Sequence, residues 1–122
     1  MRMAKLWSEV VDGRPSLDPD LTRTGDQGLI ARVMNYLNGG APVLRAPTLM
    51  DDHLDVVARS RVPMVFMTDG DWIWSGEHRY YLQHYGILPE PDFLRQMEDH
   101  GYEAPAVAEA AQRQALALLT AE

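Results

Sequence analysis

A chain of 122 residues with 46% hydrophobic content has the length and apolar share for one ordinary core, so a single domain over residues 1–122 is expected and wholesale disorder is not. The formal charge of −7, from 18 acids against 11 bases, argues against nucleic acid as the primary ligand, because a phosphate backbone is held by clustered Lys and Arg. Cysteine is absent, which removes a structural disulfide, a thiolate metal site and a cysteine nucleophile.

The arginines are scattered singly along the chain, and Lys5 is the one lysine. An acidic surface of this kind suits a basic protein partner through faster association, or simply keeps a small protein soluble. The first residues, "MRMAKLWSEVVDG", carry charge and no continuous apolar stretch, so no signal peptide is expected. No apolar run approaches the roughly 20 residues of a membrane span, so no membrane partner is expected and the cytoplasm is the default compartment.

In chain order, residues 3–11 read as an edge strand, with Trp7 awkwardly placed on its polar side. "DGRPSLDPD", Asp12 to Asp20, is dense in turn formers and reads as a surface loop. A helix is predicted from Asp26 to Asn38. Asp26 serves as N-cap, and Leu29, Ile30, Val33, Met34 and Leu37 form its buried stripe. Gly39-Gly40 supplies a left-handed stop. "APVLRAP" is bracketed by prolines and admits at most a short extended piece. "TLMDDHLDVVAR", Thr48 to Arg59, reads as a short helix or turn.

Val62 to Thr68 and Asp71 to Trp74 are β-rich runs separated by Asp69-Gly70, a strong hairpin signal of the type I′ kind. A two-residue loop sets Met67 opposite Trp72 and Val65 opposite Trp74. Val65, Met67, Trp72 and Trp74 then share one face, with Met64, Phe66 and Ile73 on the other. Both faces are apolar, so helices or a further strand must cover at least one. Ser75 caps a helix from Gly76 to Tyr85, which carries Tyr81, Leu82 and Tyr85 inward and ends at Gly86. "ILPEPDF" makes a corner, and a helix follows from Pro91 to His100 with Phe93, Leu94 and Met97 inward. The last helix, Pro105 to about Leu119, has small residues suited to close packing against another helix, and if the tryptophans are the centre of the core it packs over them. The fold class is therefore α+β: a helix-rich single domain on a small antiparallel sheet with a central hairpin at about residues 62–74.

No catalytic or phosphate-binding frame is present: there is no G-x-S-x-G, H-E-x-x-H, G-x-x-x-x-G-K-[ST] or G-x-G-x-x-G. His53, His78, His84 and His100 have no ligand spacing, and Asp51, Asp52, His53 and Asp55 lack a second ligand set, so neither a metal nor another cofactor is expected. Glu77, Tyr81 and His84 fall at i, i+4 and i+7 of one helix. They are the candidate catalytic residues if the chain is an enzyme, and otherwise the polar margin of an amphipathic helix. Trp72 and Trp74 are either the centre of the core or, with Asp69, Asp71, Glu77 and Tyr80, an exposed aromatic patch with an acidic rim that binds a partner.

The stretch "FMTDGDWIWSGEHRYYLQHYGILPEPDFLRQMEDHGY" resembles small actinobacterial proteins that carry a Thr-Asp-Gly-x-Trp-x-Trp segment. In those proteins a Tyr-Tyr-Leu helix, a Tyr-Gly-x-x-Pro corner and a Phe-Leu helix follow. Here the positions are Thr68 to Trp74, Tyr80 to Leu82, Tyr85 to Pro89 and Phe93-Leu94, covering roughly the second half, with weaker similarity around "VMNYLNGGAPVLRAP". Ser75 stands where the resemblance leads one to expect proline. In size and charge the chain is also similar to immunity proteins that neutralise toxins. The function expected on these grounds is a protein-binding module, of immunity or inhibitor type, that occludes a basic site on a partner. A small enzyme using Glu77, Tyr81 and His84 and a structural homodimer pairing hairpin faces are the alternatives.

Overall fold

Turn chemistry decides where this chain reverses. The computed structural model describes residues 1–55 and 57–121, and it is an α+β domain. Its elements are β1 (Arg2–Met3), β2 (Trp7–Val11), β3 (Arg14–Leu17), α1 (Gln27–Asn38), β4 (Ala41–Met50), β5 (Val62–Thr68), β6 (Trp72–Ser75), α2 (Gly76–Tyr85), α3 (Pro91–Asp99) and α4 (Glu109–Thr120). The main sheet has the order β1-β6-β5-β4, so the β5–β6 hairpin is central, while β2 and β3 form a separate ribbon. The sheet is mixed rather than antiparallel, because β1 runs parallel to β6. Residues 3–11 are not one strand: the chain leaves the main sheet after Met3, and Trp7–Val11 folds back on Arg14–Leu17.

The two Asp-Gly dipeptides exchange the roles expected of them. Asp12 and Gly13 both have positive φ, 52° and 78°, and they join Val11 directly to Arg14, as a type I′ turn requires. The predicted surface loop is therefore half strand, with Pro15 accepted because the ribbon is a two-stranded edge. At the central hairpin only Gly70 has positive φ. There the Asp69 carboxylate accepts from the N–H groups of Asp71 (2.8 Å) and Trp72 (2.7 Å). Thr68 Oγ1 donates to the Trp72 carbonyl (2.7 Å) and accepts from the Gly70 N–H (3.0 Å). These local side-chain bonds hold a wider loop, residues 69–72, in place of the two-residue turn. The pairs become Thr68–Ile73, Met67–Trp74 and Phe66–Ser75, two positions from the predicted register. A slip of two keeps every side chain on its predicted face, since faces alternate with period two.

That face carries the core. Met67, Trp72 and Trp74 pack with Val33, Tyr36 and Leu37 of α1, Leu82 of α2, and Phe93 and Met97 of α3. Trp72 stacks on Phe93 with centroids 4.8 Å apart, and Trp74 Nε1–H donates to the Leu37 carbonyl at 3.2 Å. The last helix does not cover the tryptophans, contrary to the expectation. It packs against β4, starts only at Glu109 without a capping side chain, and buries Ala115. The opposite sheet face is less completely covered. Met64 and Phe66 are half-buried, and Leu44, paired with Phe66, is exposed, as are Met50 of β4 and Leu116 and Leu118 of α4.

The helix boundaries follow their caps. Asp26 accepts from the Leu29 N–H at 3.1 Å, Ser75 accepts from the Glu77 N–H at 3.2 Å, and Gly86 is left-handed at φ 69°. Gly39 is not left-handed, at φ −88°, so the predicted stop after α1 has another basis. Its neighbour Gly40 is needed for close approach: a Cβ there would overlap the Trp74 ring. β4 spans Ala41–Met50 despite Pro42 and Pro47, because it is an edge strand whose pairing shifts between Pro42 and Leu44 and again between Arg45 and Leu49. Residues 51–55 and 57–60 contain no helix, and Val56 of that predicted helix or turn lies outside the described residues. Among the described residues no helix is long and apolar enough to cross a membrane.

Candidate functional site

α2 has two working faces. His78, Tyr81 and Leu82 point into the protein. Gly76, Arg79, Tyr80, Gln83 and His84, spaced i, i+3, i+4, i+7 and i+8, form the opposite stripe. That stripe lines an open cavity of about 560 Å³, whose other walls are Met34 and Asn38 of α1, Ala58 and Arg61 of the loop after β4, and Pro63 of β5. Its volume is that of a small-molecule site. Arg79 spans the cleft, with Nη1 donating to Asn38 Oδ1 at 2.9 Å, and the His84 ring lies on Tyr80 with centroids 4.4 Å apart. Arg61, Arg79 and His84 line this cavity, and among the described residues no carboxylate does. A smaller depression of about 260 Å³ adjoins it, sharing Pro63 and Arg79 and adding Arg45. Arginines scattered singly in sequence thus share cavity walls in space, Arg61 with Arg79 and Arg45 with Arg79.

The loop that forms one wall is tied down by tyrosines. Tyr80 and Tyr85 donate their hydroxyls to Asp52 Oδ2 at 2.8 and 2.6 Å, while Oδ1 accepts from the N–H groups of Leu54 (2.7 Å) and Asp55 (3.2 Å). The Tyr81 hydroxyl accepts from the His53 N–H at 2.8 Å. Burial alone would raise the Asp52 pKa, but the hydrogen bonds from Tyr85, Leu54, Tyr80 and Asp55 outweigh it and hold the carboxyl below its usual range. Burial and the nearby Asp52 carboxylate push the hydroxyls of Tyr80 and Tyr85 upward, so the tyrosines remain neutral donors at neutral pH. Asp52, weighed in sequence only as a metal ligand, is a structural acceptor. Among the described residues no group of three His, Cys, Asp or Glu side chains is placed to hold a metal ion.

The residues predicted from sequence fare unequally. Trp72 and Trp74 are 4% and 1% exposed, so neither indole is available to anchor a partner. Asp69 is buried and wholly engaged: one carboxylate oxygen holds the turn and the other accepts from the Tyr36 hydroxyl. Asp71 is exposed and accepts from Gln96 Nε2 at 2.8 Å. The acidic aromatic patch at the hairpin therefore does not exist as a surface, because α1 and α3 close over the face that sequence left open. Glu77, Tyr81 and His84 do not converge either. Glu77 accepts from Trp7 Nε1–H at 3.0 Å, Tyr81 is buried beneath Trp7, and His84 lines the cavity on the far side. Their stripe is the seam between the two faces of α2. Tyr80 reaches the candidate site, but through the cavity and not through the hairpin. Arg45, Arg61 and Arg79 were missed, although the Gly76-Arg79-Tyr80-Gln83-His84 spacing is a readable polar stripe.

On the inward face, His78 is buried and neither ring nitrogen has a hydrogen-bond partner among the described residues. Burial pushes its pKa from 6.5 down to about 4. The folded state holds it neutral. As pH falls from 6.5 toward 4, the unfolded chain takes up a proton that the folded chain refuses, and stability is lost. The loss attributable to this ring is about 3 kcal/mol. Urea denaturation at a series of pH values should therefore show a smaller acid loss for His78→Leu than for the parent. Equal losses would refute the assignment.

Compared with protein-family models, with curated proteins and with solved structures, the chain matches none significantly.

Proposed function

We propose that this protein is a binding module, without catalytic chemistry of its own, whose ligand is a small organic anion held between α1 and α2. The observation that carries the reading is the composition of the cavity wall. In a chain of net charge −7, the cavity gathers Arg61, Arg79 and His84, and among the described residues no Asp or Glu lines it, although Asp52 lies behind Tyr80. Arginine presents a planar fork of donors that matches carboxylate and phosphate. Met34, Ala58, Pro63 and the Tyr80 ring supply apolar wall for the body of such a ligand. The overall negative charge repels anions at long range, so recognition depends on the Arg61 and Arg79 guanidinium groups and weakens as salt rises.

The test is calorimetric titration of the full chain with inorganic phosphate, phenyl phosphate and benzoate at low and high salt. Each charge-assisted hydrogen bond contributes about 1.5–3 kcal/mol, so Arg61→Ala and Arg79→Ala are each expected to weaken binding roughly 10- to 100-fold. Circular dichroism should show both variants folded. Absence of binding to all three probes, or binding indifferent to both substitutions, would overturn the reading.

A further inference from the structure

The two adjoining depressions define more than the charge of the ligand. We propose that the bound compound is a ring-bearing organic diphosphate of the nucleoside-diphosphate class, with its ring in the larger cavity and its terminal phosphoryl group in the smaller depression beside Arg45. The inference deepens the anion-binding reading above and rests on it.

The cavities have different characters. The larger, about 560 Å³, offers the Tyr80 ring, with the His84 ring tilted 40° against it, together with the apolar surfaces of Met34 and Pro63, which can pack against a ring. The smaller, about 260 Å³, carries Arg45 and Arg79, and among the described residues no carboxylate lines it. Arg79 belongs to both, so a ligand passing from one to the other must cross its guanidinium. One N–H of that guanidinium is engaged by Asn38 at 2.9 Å, which orients the group and leaves other donors for a ligand.

Sheet register places Arg45 on this side. It pairs with Val65, whose face also carries Met67 and Trp74, the face covered by α1 and α2. Arg45, Arg61 and Arg79 form no ion pair with a described residue, a property they share with Arg14, Arg23, Arg32 and Arg59. Two phosphoryl groups bear more negative charge than two carboxylates, and three guanidinium groups exceed what a dicarboxylate needs. A long polyanion is disfavoured by the net charge of −7 and by the short reach of two depressions.

Calorimetry on the full chain with adenosine, uridine, their mono- and diphosphates, pyrophosphate and glutarate tests the assignment. The expected result is that at least one nucleoside diphosphate binds ten-fold or more tightly than its monophosphate. It should also bind more tightly than pyrophosphate, which lacks the ring, and than glutarate. Arg45→Ala should abolish the advantage of diphosphate over monophosphate while leaving monophosphate binding within about two-fold, and Arg61→Ala should weaken both. Equal affinity for mono- and diphosphate, or a neutral Arg45→Ala, overturns the two-group ligand. Pyrophosphate matching the nucleoside diphosphate overturns the ring, and glutarate matching it overturns the phosphate class. If phosphate or phenyl phosphate binds but none of the nucleotides does, this inference falls and the anion-binding reading stands. If no anion binds, both fall.

Discussion

Trp74→Ala is expected to cost about 3–5 kcal/mol of folding stability, the range for removing a large aromatic side chain from a packed core. The indole is 1% exposed, and it contacts the Tyr36 and Phe93 rings with centroids 6.1 and 5.3 Å away. Its N–H is bonded to the Leu37 carbonyl at 3.2 Å, and Gly40 is kept free of a side chain so that the strand can lie against it. A single domain is stable by only about 5–15 kcal/mol, so the variant should be near its unfolding threshold at room temperature. Trp74→Phe should fall between the two proteins, because it keeps an aromatic ring in the cluster and loses the indole volume and the N–H bond. Urea denaturation at neutral pH measures all three. A loss below about 1 kcal/mol for Trp74→Ala would mean that the indole is not a core residue, and would restore the hairpin as a docking surface.

Asp52→Ala should loosen the cavity wall as well as the fold. One carboxylate receives two tyrosine hydroxyls and two backbone N–H groups, and its removal strands four donors. Buried donors left without partners cost about 1–3 kcal/mol each. Tyr80 and Tyr85 are half-buried and recover part of that from water, so a total of about 2–4 kcal/mol is expected. Amides in residues 51–55 and 57–60 should exchange faster with deuterium, and affinity for anions should fall because Ala58 and Arg61 belong to the same segment. Asp52→Asn keeps one carbonyl oxygen and should show an intermediate effect. The contribution has a defined pH window. Since the folded carboxyl titrates below its unfolded value, the anchor is fully present above the ordinary carboxylate range and is lost as pH drops through the folded pKa. Unchanged exchange in this segment on Asp52→Ala would sink the anchoring role.

Local chemistry made much of this fold legible. The Asp26 cap, the Ser75 cap with Gly86 as left-handed stop, and Pro91 at the start of α3 act through atoms a few residues apart, and all appear where the sequence puts them. The division of the hairpin into two faces was also readable, because alternation along a strand survives a slip of two residues. Turn type was not. Asp-Gly occurs at residues 12–13 and at 69–70, and the choice between a type I′ turn and a side-chain-held loop depends on what the Asp carboxylate finds to accept. β4 was hidden for a similar reason: Pro42 and Pro47 forbid a central strand and not a bulged edge strand, and position within a sheet is not a local property.

The candidate site shows the same division more sharply. Sequence determined that α2 would be a capped helix with tyrosines on it and that no catalytic frame interrupts the chain. It left undecided which side of each element meets protein and which meets water. That depends on whether α1 and α3 close over Trp72 and Trp74, a result summed over contacts among residues far apart in the chain. Only the tertiary structure set Arg61 and Arg79 on one cavity wall and Arg45 beside Arg79 in the adjoining depression, because charges far apart in the chain become neighbours only when folding sets the distances.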